Sequence, residues 1–193
     1  MKSSRRFPLA CVVLAAAPLI VAGCSLLPEP RPDPTRFYVL AADAASAVTA
    51  GGPAVQLRAV EVAGYLRNRP MVVRRGGSEI EFREHARWGE PLEQGVARVL
   101  SSGLRARGVN VAPTGASAPV LAVRVLACEG ASDGAVIFRA AWELTGGASP
   151  ATGEFVAVGL RWDVKSEGSL ATQLGAAVLS LAEEVAAAAS RKP

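Results

Sequence analysis

The chain has 193 residues, which suits one domain preceded by a targeting segment. Half of its residues are hydrophobic and a fifth are charged, so the composition excludes a disordered or fibrous protein. The net charge of +4 falls to about +1, with 18 basic and 17 acidic residues, when Lys2, Arg5 and Arg6 are left out, and this balance gives no indication of nucleic-acid binding.

The first 23 residues have the layout of a secretory signal peptide. The basic start is followed by an uncharged, largely apolar run from Pro8 to Gly23 that ends in small residues. The alternative is an uncleaved transmembrane anchor, but the run falls short of the roughly 20 residues that a spanning helix needs. Pro18 inside the run also disfavours a continuous helix.

Residues 21–24, Val-Ala-Gly-Cys, resemble a lipobox, the tetrapeptide that the lipoprotein signal peptidase recognises. The pattern predicts cleavage after residue 23 and lipidation of the Cys24 thiol. Cys11 lies in the signal and Cys128 is alone in the mature chain, so a disulfide framework is not expected. Cys128 lies in an apolar run and is expected to be a buried core residue.

Residues 24–34 carry four prolines and predict an extended tether, and residues 35–193 then form one domain. Its first half predicts strands at 36–40 and 54–62, a short connector at 64–69, and a hairpin whose strands, 71–74 and 79–82, flank two glycines. A helix begins near Pro91 and ends at Gly108, because apolar residues recur at helical spacing between them.

The second half predicts further strands and a final helix. Residues 109–111, 120–128, 136–145 and 156–164 have strand patterns, and a helix over 170–189 is capped by Ser169. We expect Trp142 and Trp162 to face the core together with Val158, Leu160 and their apolar neighbours Phe138 and Leu144. The order predicts an α/β or α+β domain with a mixed, largely antiparallel sheet and packed helices.

Groups that would support catalysis are sparse. His85 is the single histidine, and the chain has no Gly-x-Ser-x-Gly elbow, no phosphate-binding glycine loop and no cluster with metal-ligand spacing. We therefore expect no enzyme, no metal and no cofactor. Trp88, beside the helix start, is expected either to plug the core or to be an exposed recognition residue.

The mature chain resembles the auxiliary lipoproteins of ABC-type transport systems, a family that includes the paraquat-inducible protein C-like proteins. The resemblance rests on the PDPTRFYVL segment, the turn from Tyr65 to Pro70, the final Ala-rich helix and the strand end Ala-Trp-Glu-Leu at 141–144. Its most specific part is the segment His-Ala-Arg-Trp-Gly-Glu-Pro-Leu at 85–92.

The resemblance implies a three-layer α/β domain without catalytic residues, facing the periplasm from the outer membrane. It also implies that the protein acts together with MCE-domain proteins, which form channels for lipids between the two membranes. Cys24 is the functional residue that the resemblance transfers, and Ser25 after it favours outer-membrane sorting. The alternative function is a periplasmic lipoprotein that binds a small ligand or an unrelated envelope complex. Self-association of the domain stays open.

A lipoprotein without catalytic residues must act through contacts with other molecules. The candidate partner-binding residues lie in the turn between two strands and are Tyr65, Leu66, Arg67, Arg69 and Pro70. An alternative for Tyr65 and Leu66 is that they cap the core.

Overall fold

A computed structural model describes residues 32–41, 51–147 and 150–191. The described residues from Thr35 onward form one compact unit, which contains every helix and strand that the structure describes.

Nine strands, two α-helices and one 3-10 turn make up the described part of the domain. The strands are β1 (Arg36–Tyr38), β2 (Ala54–Leu57), β3 (Glu61–Val62), β4 (Pro70–Gly76), β5 (Glu79–Trp88), β6 (Asn110–Ala112), β7 (Val120–Ala131), β8 (Val136–Thr145) and β9 (Ala151–Val156); the helices are α1 (Leu92–Ala106) and α2 (Glu167–Ala189), and the 3-10 turn is Gly64–Arg67. The α/β class that the sequence predicted, a mixed sheet with packed helices, is confirmed.

Strand β7 organises the sheet. Along one side it pairs with β2, β3 and β4 in succession, all parallel to it, and along the other side it pairs with β8, antiparallel. Strand β6 lies beyond β2, β9 beyond β8, and β5 and β1 beyond β4. The sheet therefore divides beside β7 into a β2–β6 branch and a β4–β5–β1 branch.

Helix α1 confirms the apolar stripe that the sequence predicted. The side chains of the stripe are all buried: Leu92, Val96, Val99, Leu100 and Leu104. The helix ends where Gly108 takes a φ of 78°, a left-handed conformation that glycine adopts without a steric cost.

Helix α2 begins earlier than the sequence predicted. It starts at Glu167, and the Ser166 hydroxyl accepts a hydrogen bond from the Ser169 amide at 3.2 Å. Ser166, and not Ser169, is therefore the N-cap, because the first exposed amides of the helix lie one turn before Leu170. By length and composition α2 could cross a membrane, but more than half of its apolar window is buried inside the domain, as in a core helix.

Two predicted strands differ in the structure. The run over 54–62 is divided into β2 and β3, which pair with different parts of β7. The strand predicted over 156–164 is wrong, because β9 ends at Val156. Gly159, at a φ of 74°, interrupts the extended backbone. Beyond β9 the chain is joined to the region of β8 by isolated hydrogen bonds, such as the one that the Val136 amide donates to the Leu160 carbonyl.

The face assignment for the aromatic residues is largely confirmed. Trp142 and Trp162 are buried, as are Phe138 and Leu144, and Leu160 is half-buried. Val158 is 83% exposed, so its predicted place in the core is wrong. The error follows from the irregular backbone near Gly159, which breaks the alternation of faces on which the prediction depended.

Helix α2 packs on one face of the sheet. Trp142 of β8 donates a hydrogen bond from Nε1 to the Glu184 carboxylate of α2 at 2.8 Å. The face of β7 and β8 that carries Trp142 and Phe138 is therefore the helix-covered face. We call the opposite face, which carries Arg124, Ala141 and Glu143, the outer face.

Candidate functional site

The predicted lipidation site lies outside the described residues. Cys24 belongs to the segment before residue 32, as do the signal peptide and most of the tether. Processing and lipidation at Cys24 therefore stay predictions from the sequence.

The groups that could perform chemistry are dispersed in the described ranges. His85 is exposed on β5, whereas Cys128 is buried on β7, where burial raises the pKa of its thiol far above the ordinary range. A buried neutral thiol is a poor nucleophile. Residues 32–41, 51–147 and 150–191 contain no group of three or more metal-ligand side chains.

Trp88 has the structural role that was one of its two predicted alternatives. It is buried at the end of β5, where its amide donates to the Arg69 carbonyl at 2.8 Å. The Trp88 side chain is thus unavailable as a recognition residue. Its neighbour His85 stays exposed on the same strand.

The turn that contains the candidate partner-binding residues is built on the edge of β7. The Ala63 amide donates to the Val125 carbonyl at 3.0 Å, and the Leu66 amide closes the turn on the Ala63 carbonyl. Leu66 is buried, whereas Arg67 and Arg69 are exposed. Leu66 therefore anchors the turn, and the two arginines are free to meet a partner.

The remaining two residues of this set have mixed surroundings. Tyr65 is half-buried and packs against the core, and Pro70 begins β4 opposite Arg87. Of the five predicted residues, the structure thus brings Arg67 and Arg69 to the surface, places Tyr65 and Pro70 at its margin, and buries Leu66.

A charged cluster beneath the turn was missed by the sequence analysis. Glu129 of β7 is buried, and its Oε1 accepts hydrogen bonds from Nε and Nη2 of Arg74 at 2.7 and 2.6 Å. The second oxygen, Oε2, is buried without a hydrogen-bond partner among the described residues. A buried carboxylate needs such a cation, because desolvation alone would be very unfavourable.

Tyr65 connects the turn to this cluster. Burial, followed by the negative charge of Glu129, raises the pKa of Tyr65 to about 12. The hydroxyl therefore stays neutral at physiological pH beside the carboxylate. One signal in the sequence pointed here: Glu129 directly follows an apolar run, and a charge in such a position is either exposed or paired.

A shallow groove with a volume of about 310 Å³ lies on the outer face. Ala122 and Ala141, two small side chains, are part of its lining. Charged side chains also line it, among them Arg58, Glu143 and the ion-paired residues Arg124 and Glu61, whose Nη2 and Oε2 atoms are 3.0 Å apart. The sequence did not reveal this groove, because its residues come from three separate segments that only the β7 pairings bring together.

Comparisons with known proteins give one family and a set of similar folds. Residues 38–186 match the family described as the ABC-type transport auxiliary lipoprotein component. No protein with a curated description matches the chain.

Two solved structures are similar to the domain. One, an uncharacterised protein, has 20% identity and a TM-score of 0.68 and covers 79% of this chain and 97% of its own. The other, a Xanthomonas campestris protein of the DUF330 family, has 16% identity and a TM-score of 0.64 and covers 79% of this chain and 93% of its own. At these identities the likeness shows the shared fold.

Proposed function

Because the chain belongs to the ABC-type transport auxiliary lipoprotein family, we propose that it is a non-enzymatic, lipid-anchored component of an MCE-type lipid transport system. The observation that carries the proposal is the family match over residues 38–186, which begins shortly after a lipobox at residues 21–24. The protein acts from the periplasmic face of the outer membrane, held there by Cys24. It contributes contacts to an MCE-domain partner and leaves the energy-driven step to the transporter.

The turn is the part of the domain that we propose for the partner contact. Arg67 and Arg69 are exposed on a backbone that Leu66 and Ala63 fix to β7, so the two guanidinium groups are presented from a rigid base. Arginine is enriched among residues that dominate binding energies, and a rigid base lowers the entropy lost on binding. Tyr65, with Glu129 beneath it, and Pro70 hold the two ends of the turn.

The test is recovery of partners from solubilised envelopes with the full lipidated protein. We expect the MCE-domain protein to be recovered with the wild type, and its recovery to fall at least several-fold with Arg67→Ala combined with Arg69→Ala. The matched control is Arg161→Ala combined with Arg191→Ala, two exposed arginines outside the turn, one in the segment after β9 and one after α2. Equal losses for the two double variants, or a wild-type protein that recovers no MCE-domain protein, would contradict the proposal.

A further inference from the structure

Exposed apolar side chains cluster at the start of the domain. Phe37 is 62% exposed and Val39 is 53% exposed, and both lie at the outermost strand of the β4–β5–β1 branch. Phe82 on β5 is 37% exposed. Half of the six large hydrophobic side chains that are exposed in the described residues therefore lie on β5, on β1 or directly after β1.

The strand pairings place these side chains on one face. Phe37 lies directly opposite Arg87, and Arg87 lies opposite Pro70 of β4. Tyr38, next to Phe37, lies 3.7 Å from the position of a Cβ atom on Gly168 of α2, and Arg83, next to Phe82, forms an ion pair with Glu167 of α2 at 3.7 Å. Because successive strand residues point to opposite faces, Phe37 and Phe82 both point away from the helix-covered face. We call Phe37, Val39, Phe82 and Arg87 the Phe37 patch.

The surroundings of the Phe37 patch are mainly basic. Arg69 neighbours Arg87 through the hydrogen bond that the Trp88 amide donates to the Arg69 carbonyl, and both arginines are exposed. Two acids lie on β5 near the patch: Glu81, which is paired with Arg75 and Arg83, and the exposed Glu84, whose backbone carbonyl accepts a hydrogen bond from Nε of Arg87 at 3.1 Å. An apolar centre with a rim of arginines is complementary to a lipid surface that exposes phosphate groups.

The covalent chain limits how far this patch can be from the bilayer. Arg36 follows Cys24 by 12 residues. A chain of that length spans at most about 40 Å, which is roughly the diameter of a domain of this size. Because a lipid on Cys24 would confine β1 to this distance, even a weak contact with the membrane would be well populated.

We propose that the Phe37 patch docks on the phospholipid bilayer that holds the lipid anchor. Phe37, Val39 and Phe82 enter the boundary between headgroups and acyl chains, and Arg87 binds lipid phosphate. Docking fixes the orientation of the domain, which a covalent tether alone does not do. The inference rests on the proposed anchoring at Cys24.

The experiment measures how deeply two fluorophore-labelled positions of the anchored protein lie in the membrane. Phe37→Cys, and Val158→Cys as the control, receive an environment-sensitive fluorophore in the full lipidated chain, since the buried Cys128 is a poor target for labelling. The vesicles contain phosphatidylethanolamine, phosphatidylglycerol and a nitroxide-bearing quencher lipid. We expect at least twofold stronger quenching and a blue-shifted emission at position 37, and weaker quenching there when Arg87→Gln is added.

Equal quenching at positions 37 and 158 would overturn the inference. So would a label that is exposed on vesicles but shielded in native envelopes, because a protein partner would then cover the patch. Flotation of the unlabelled protein reports the anchor separately. If the protein does not float, a His-tag in place of residues 1–24 attaches the labelled chain to nickel-chelating lipids, and the same comparison of positions decides the docking question.

Discussion

At the scale of single residues, the two tryptophans of the core depend on glycines in neighbouring strands. A Cβ atom on Gly130 would lie 2.6 Å from the Trp162 ring, and one on Gly153 would lie 2.7 Å from the Trp142 ring. Each indole therefore occupies space that any other residue at the glycine would fill. Trp162 also donates from Nε1 to the Ala131 carbonyl at 3.1 Å, which satisfies its polar atom.

We expect Trp162→Ala to lower the free energy of unfolding by about 3–5 kcal/mol, because it leaves a cavity over Gly130. Chemical denaturation of the wild type and the variant measures the change. Val158→Ala serves as the control, since Val158 is mostly exposed and should change stability little. A Trp162→Ala protein as stable as the control would show that the ring is not packed as described.

Tyr65 gives a prediction in the alkaline range. Its pKa is raised from 10.0 to about 12 in the folded chain, so the unfolded chain ionises first. The stabilisation that follows from this raised pKa is fully present below pH 10 and is lost as the pH rises toward 12. Urea denaturation should therefore show that Tyr65→Phe loses less stability over this pH interval than the wild type. Equal losses of stability in the two proteins would contradict the burial of the Tyr65 hydroxyl.

At the scale of elements, glycines allow the helices to approach their neighbours closely. A Cβ atom on Gly103 of α1 would lie 2.7 Å from Cβ of Ala182 in α2. One on Gly175 of α2 would overlap the backbone carbonyl of Ala41, which follows β1. Small residues at Gly103, Gly175 and Ala182 are thus a requirement of the close packing of α2 on both sides.

Gly175→Ala should destabilise the domain by about 1–3 kcal/mol, because the backbone of Ala41 cannot move aside cheaply. Helix propensity alone would predict a gain of about 1 kcal/mol, so the sign of the change distinguishes the two effects. Gly168→Ala, in the same helix, meets Tyr38 at an ordinary 3.7 Å and is the matched control. Thermal or urea unfolding measures both, and a Gly175→Ala protein more stable than the wild type would exclude the close approach.

At the scale of the whole molecule, the proposed function requires that one residue hold the domain at a membrane. Each buried CH₂ of an acyl chain contributes about 0.8 kcal/mol, so several chains on Cys24 would anchor the protein effectively permanently. Cys24→Ala should accumulate as an unprocessed or mislocalised precursor, which immunoblotting of fractionated cells detects by size and location. The native protein should be in the outer-membrane fraction, and its recovery mainly from the inner membrane would contradict the sorting that Ser25 suggests.

The sequence alone determined the elements whose signals are local. The stripe of α1, the hairpin at Gly76 and Gly77, the alternation of β8 and the burial of Cys128 each follow from periodicity or composition within one segment. Such patterns reflect which side of an element meets water, so they survive without knowledge of the partner element. The family resemblance, carried by contiguous segments, was likewise accessible and is confirmed by the match over residues 38–186.

The tertiary structure decided whatever depends on residues that are distant in sequence. The pairing of β2, β3 and β4 along one side of β7 joins Glu129 to Arg74 and Tyr65, and it brings Arg58 to the groove beside Arg124. The same pairings place Phe37, Arg87 and Phe82 on one face, although each looks unremarkable in its own segment. Sheet register is set by the sum of many weak contacts between strands, so no single segment encodes it.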